Sequence, residues 1–175
     1  MVVSSANIIS VQGSALILYG FSVFLANLTK KLNIDEKIVV NLYIVLFYYM
    51  MAEIFKNIFF VGVGSFLGGA ARYLVSVAMR GVSAGFPWAT LVVNLLGCLM
   101  IGLFAGYINK NMNGESYVAL FLTYGVCGGF TTFSTFSKEA LTMLQCGNYW
   151  GTICYVGVSV VLGIILTACG YMLAQ

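Results

Sequence analysis

The chain contains no histidine. That removes the one side chain whose unperturbed charge change falls near neutral pH, and with it an imidazole base, a proton shuttle and a common metal ligand. Charge is almost as scarce. Eight Lys or Arg and five Asp or Glu in 175 residues make 7% charged, against about 25% in an ordinary soluble domain. So few charges cannot cover a water-facing surface. A net charge of +3, thinly scattered, gives no footprint for nucleic acid. Proline occurs once, at Pro87. There is no Cys-x-x-Cys pair, no Walker motif and no nucleophile constellation, so nothing points to an enzyme.

What remains is apolar. The chain is 61% hydrophobic, with a mean hydropathy of +1.00. This composition defines an all-α integral membrane protein whose core is the membrane bundle itself. Four spans are legible: about Ile58–Met79, Ala89–Ile108, Tyr117–Leu141 and Tyr149–Met172, each near the ~20 residues a spanning helix needs. Gly85-Phe86-Pro87 punctuates the start of the second, where a missing N–H costs nothing. The polar loop Asn109–Glu115 and the turn Gln145-Cys146-Gly147-Asn148 separate the others. Short connections make neighbouring helices antiparallel. Gly64/Gly68, Gly102/Gly106 and Gly125/Gly129 are each four apart, so each pair shares a face that lets helix backbones approach. The five cysteines, Cys98, Cys127, Cys146, Cys154 and Cys169, read as small buried hydrophobes.

The third span is unusual. Gly128-Gly129-Phe130-Thr131-Thr132-Phe133-Ser134-Thr135-Phe136-Ser137 puts a helix-weakening glycine pair before a run of hydroxyls and phenylalanines. Irregular backbone at membrane depth survives only where protein buries it or a cavity receives it. The expected architecture is therefore a four-transmembrane-helix bundle with a broken third helix, and broken helices are where membrane proteins build ion sites.

Residues 1–50 form a separate hydrophobic extension ahead of a four-helix domain at 51–175. Ile8–Leu28 is a plausible span, Lys30 to Lys37 a charged loop, and Ile38–Phe55 apolar again. Only Lys56-Asn57 would separate a span there from the next. The extension is either one or two extra helices or an upstream start read ahead of Met50 and Met51. A secretory signal fits poorly, because no basic residues precede the first apolar run. Across the core spans, Lys56 and Lys110 fall on one side, Arg80 and Lys138 on the other. This tie predicts no strong orientation and favours insertion both ways, as an antiparallel dimer.

Several polar residues stand inside the spans. Arg72, in Gly68-Gly69-Ala70-Ala71-Arg72-Tyr73, either snorkels to the interface or lines an aqueous vestibule where it concentrates anions. Asn94, in Thr90-Leu91-Val92-Val93-Asn94, offers two N–H donors to a dehydrated anion or an interhelical hydrogen bond. Phe133 and Phe136 share a helix face. They are either packing groups or rings whose positive edges line an anion path. Tyr155, Ser159 and Thr167 make a hydroxyl stripe at spacings of four and eight, with Gly163 in the missing step. The stripe suits an ion track or helix–helix hydrogen bonding. No central span carries a clear buried carboxylate, and Glu139 near the end of the third is the nearest. That favours a channel over the runner-up, a small four-helix proton-coupled exporter of a cation or small molecule.

These three motifs together resemble the Fluc (CrcB) fluoride channel family over about residues 52–175; the first 50 residues have no counterpart in it. The resemblance implies a fluoride-selective channel in the plasma membrane. It lets cytoplasmic fluoride leak out and so confers resistance. It also implies an antiparallel homodimer with two pores and a structural sodium ion at the dimer interface. Asn94, Phe133, Phe136, Ser134, Tyr155, Ser159 and Thr167 would line the fluoride pore. Arg72 matches a vestibule arginine and Glu139 an acidic position after the phenylalanine motif. The backbone carbonyls of Gly128 and Thr131 match those that hold the sodium. Gly163 departs from the pattern where some members carry a serine. Fluoride is small and strongly hydrated, so a path for it must offer many donors, as an amide and hydroxyls do.

Overall fold

A computed structural model describes residues 36–82, 85–111 and 116–175, with the single positions Gly20 and Val23. The expected span Ile8–Leu28 otherwise lies outside the described residues. The chain divides into two units, residues 1–54 and 55–175, and the site lies wholly in the second.

Every described element is helical. Helix α1 is Glu36–Ala78 and α2 is Trp88–Asn111. The third span opens with α3 (Tyr117–Ala119), continues as a π-helical run (Leu120–Cys127) and α4 (Gly128–Phe130), breaks, and resumes as α5 (Phe133–Gln145). Helix α6 is Tyr149–Ala174. Four stretches are long and apolar enough to cross a membrane: Lys37–Ala78, Trp88–Asn111, Tyr117–Gln145 and Tyr149–Ala174. The four spans thus stand where hydropathy put them. No turn occurs at Lys56-Asn57, because α1 runs straight through it for 43 residues. At about 1.5 Å per residue that is roughly twice the ~30 Å hydrocarbon core.

Local chemistry sets the ends. The Pro87 carbonyl accepts from Leu91 N at 3.1 Å, so proline stands just outside the first turn of α2. Ser116 caps α3 through Val118 N, and Asn148 caps α6 through Gly151 N. Helix α5 closes on Gly147 at φ 74°, with Asn148 N reaching back to Met143 O at 2.9 Å. A left-handed residue there favours glycine, which carries no Cβ to clash.

Glycine also sets how closely the spans pack. A Cβ at Gly64 would come within 2.8 Å of the Gly125 Cα, so α1 and the π-helical run meet backbone to backbone. On the other side α2 packs extensively on α6, and a Cβ at Gly106 would lie 2.5 Å from Tyr171 O. The small-residue faces read from the sequence are these contacts. The cysteines correct the expectation: only Cys127 is buried, Cys98 is intermediate, and Cys146, Cys154 and Cys169 lie on the surface of the chain. Bilayer-facing positions accept a small hydrophobe as readily as core positions do, so apolar context alone does not bury a residue. The buried centre is Leu91, Met143 and Tyr155, with Phe86, Leu95, Phe136 and Ala140 packed around it.

Candidate ion pathway at the broken third span

The break falls at Thr131 and Thr132, not at the glycine pair. Thr131 has φ −76° and ψ 157°, Thr132 has φ −148° and ψ 113°, and both are extended. Gly128 keeps helical angles, φ −63° and ψ −39°. Gly129 is there for proximity, since a Cβ on it would lie 2.8 Å from the Ser65 Cα. The expectation that glycine itself breaks the helix is corrected by one residue on the neighbouring span.

That residue is Asn94. Its Oδ1 accepts from Thr132 N at 2.8 Å, and its Nδ2 donates to Thr132 O at 3.1 Å. The side-chain amide pairs with the main chain as a second peptide would, and draws the Thr132 N–H off the helix. Thr132 then caps the next helix: its hydroxyl accepts from Thr135 N at 3.3 Å and donates to Thr135 Oγ1 at 3.0 Å. The carbonyls of the last turn before the break, residues 128–131, thereby lose their helical donors. Gly128 O would have taken Thr132 N, and Thr131 O would have taken Thr135 N. Freed carbonyls at membrane depth are oxygen ligands in want of a partner.

Three cavities lie at the break or along α6. The first, about 430 Å³, is lined by Asn94, Cys98, Gly128, Thr131, Phe133, Phe136 and Ser159 among others. A second of about 600 Å³ continues along α6 past Gly163 and Thr167 to Tyr171. These two share Cys98, Ser159 and Val160. A third, about 190 Å³, holds Arg72, Tyr73, Ser76, Thr90 and Thr135. Thr132 lines both the first and the third. Arg72 therefore stands across the break from the phenylalanines, in a cavity otherwise rich in hydroxyls.

The other residues singled out from the sequence separate into groups. Phe133 is 80% exposed on the chain, while Phe136 is half-buried. Their ring centroids are 5.7 Å apart, and Phe136 lies 5.0 Å from the Tyr155 ring. Ser134 lines none of the three cavities; its Oγ lies 3.4 Å from Thr132 Oγ1. Tyr155 is fully buried and its hydroxyl donates to Glu139 Oε2 at 2.9 Å, so it lines neither cavity along α6. Ser159 and Thr167 do line them. Ser159 gives its proton to Tyr155 O at 2.6 Å, and Thr167 Oγ1 lies within reach of Cys98 O and Gly163 O at 3.0 and 2.9 Å. Each must rotate before it can donate to an anion.

Glu139 lies on α5 near the end of the third span. In the structure it is half-buried and ties three elements together, accepting from Thr90 Oγ1 at 2.8 Å on α2 and from Tyr155 on α6. Two residues that the sequence did not single out emerge as central: Thr132, which lies between the cavity-lining Thr131 and Phe133, and Thr90, which opens the asparagine motif. Their hydroxyls gave the only signal. Nothing in the sequence marked Cys98 beyond its apolar setting.

The fold and site together define a small multi-pass membrane protein built around an interrupted span, with a cavity on either side of the interruption. Residues 59–171 match the family model described as CrcB-like protein, Camphor Resistance (CrcB), and the chain belongs to that family. Among its relatives is the fluoride-specific ion channel FluC of Flavobacterium psychrophilum. It is 41% identical over 121 residues, which cover 69% of this chain and 98% of the relative. Proteins of the same description from Azobacteroides pseudotrichonymphae and Phocaeicola vulgatus are each 39% identical, with 69% of this chain covering 97% and 99% of theirs.

Proposed function

We propose that this chain is a fluoride-selective channel that lets fluoride cross the membrane passively and so protects the cell from it. The observation that carries the reading is the first cavity. It brings one amide, two phenylalanines and four hydroxyl side chains together beside a helix break, in a chain whose relatives, matched over nearly their whole length, are named fluoride-specific channels. Asn94 has a second N–H beyond the one it gives to Thr132. The Phe133 and Phe136 ring edges are positive and carry no full charge, so they pass an anion without trapping it. Arg72 raises the local anion concentration in the third cavity. Ser159 and Thr167 supply further donors along α6.

A sodium ion suits the break. Its preferred ligands are oxygens, and the carbonyls of Gly128 and Thr131 have lost their helical donors while both residues line the first cavity. Bound there, the ion would add fixed positive charge beside the anion path. An antiparallel homodimer goes with this reading, because two copies double the carbonyl set and the charge tie across the core spans imposes no orientation.

Fluoride efflux is the test. Reconstituted protein in fluoride-loaded liposomes should release fluoride when a potassium ionophore is added, and release little chloride under the same gradient. Equal chloride release sinks the selectivity claim, and efflux that needs an imposed proton gradient would favour an exporter working through Glu139. Prolonged sodium removal should lower flux or dimer content; indifference of both to sodium removes the metal site. Cysteines placed at Lys110 and Gln175 should each label from both sides of the membrane, and one-sided labelling excludes the antiparallel arrangement.

A further inference from the structure

The polar residues of α6 recur every four positions, at Tyr155, Ser159 and Thr167, and skip Gly163. That step is filled from another helix. A Cβ at Gly163 would meet a single atom within 4 Å, the Cys98 Sγ at 3.2 Å. Cys98 sits on α2, one helical turn beyond Asn94. Its own carbonyl lies 3.0 Å from Thr167 Oγ1, which holds its backbone against α6. With Ser159 and Val160 it is one of the residues shared by the two cavities along α6, so it stands at their junction. Its thiol is free.

We propose that Cys98 is a pore-lining residue. Its thiol takes the place that Gly163 leaves without a side chain and bridges the two cavities for the passing anion. The absence of a side chain at 163 is what makes room for it. A thiol is a weak donor. Between the hydroxyls of Ser159 and Thr167 it offers a step that partly replaces water yet holds a small anion loosely enough to release it. The identity of the ion rests on the fluoride-channel reading, whereas the placement of Cys98 on a water-filled path does not.

Labelling separates the two. The full chain in liposomes is treated with a charged, membrane-impermeant methanethiosulfonate, whose sulfenyl sulfur is attacked by a water-exposed thiolate to give a mixed disulfide and methanesulfinate, and each cysteine is followed by mass spectrometry. Cys154 and Cys169 are more exposed on the chain than Cys98 but line neither cavity along α6. Cys98 should be modified at least as fast as either. A Cys98 that reacts more slowly than both, or only after detergent is added, overturns the proposal, whether or not the vesicles conduct.

Flux gives the second measurement. Cys98→Ala should lower fluoride flux per dimer by about fivefold, which is about 1 kcal/mol at 1.4 kcal/mol per tenfold. Adding Gly163→Ser to Cys98→Ala should restore much of it, because a hydroxyl then enters the vacated step. A merely structural cysteine predicts no rescue; an assembled double variant no faster than Cys98→Ala overturns the role. Wild-type vesicles in the same series that fail to release fluoride would instead refute the channel reading, and the labelling pattern still decides the placement.

Discussion

Asn94 competes with the helix it faces. By offering Thr132 both an acceptor and a donor, it makes extended backbone as well satisfied as helical backbone would be. Asn94→Ala removes both bonds. The span must then leave polar groups unpaired or re-form the helix across Thr131–Thr132, which erases the freed carbonyls. We expect a loss of about 1–3 kcal/mol in stability, read by thermal unfolding in detergent, together with lost flux. A variant with wild-type flux would show that the break stands without the asparagine. The two phenylalanines divide differently. Phe133 is largely exposed on the chain, so Phe133→Leu should leave assembly intact. Phe136 packs on Tyr155, so Phe136→Leu should cost about 1 kcal/mol. Flux per assembled channel, with assembly followed by gel filtration, should fall sharply in at least one. Wild-type flux per assembled channel in both would make them packing groups only.

At the scale of elements, the spans were legible because a bilayer demands long apolar helices and little else produces them. The position of the break was not. Gly128-Gly129 looked like the weak point, yet glycine in these spans mainly permits contact, and the helix yields where a side chain 38 positions away outbids it. The Thr90–Glu139–Tyr155 cluster was hidden for the same reason: its Thr90 bond spans 49 positions, which no local pattern encodes. Nor did the hydropathy of the third span signal the π-helical run at Leu120–Cys127, whose wider turn is common at functional sites. The glycine contacts make a direct prediction. Gly125→Ala puts a methyl against Gly64 and the Val61 carbonyl. Backbone cannot swing aside as a side chain can, so α1 and the third span must separate. The expected cost is about 1–3 kcal/mol, measured as a lower unfolding temperature and a smaller folded yield. Unchanged stability would mean that this contact is looser than it looks.

For the whole molecule, the composition identified a membrane bundle and the motifs identified its kind, while the N-terminal extension stood apart from both. Relatives matched over 97–99% of their length account for only 69% of this chain. Relatives matched over nearly their whole length have little room for a counterpart to the rest of this chain. A chain starting at Met51 should insert, assemble and conduct fluoride at the full-length rate per dimer in the liposome assay. The extension carries Lys30, Lys31 and Lys37, a basic bias that the core lacks. Its removal should therefore change the ratio of the two orientations more than the flux. A truncated chain that assembles but does not conduct would make the extension part of the channel.

The pairing of Asn94 with Thr132 has one more consequence, visible to magnetic resonance. Flipping the amide by half a turn would set oxygen against oxygen and hydrogen against hydrogen, so the group is locked in one sense. Its two inequivalent nitrogen-bound protons then have different fates: one is held by the Thr132 carbonyl and the other is free of that bond. In a nitrogen-15-labelled sample the first should exchange slowly with deuterium and the second quickly. Only the second resonance should move when fluoride is added. Such a lock would make a neutral side chain vectorial, turning its free N–H rather than its carbonyl toward an ion in the first cavity, and would favour an anion over a cation without carrying any charge.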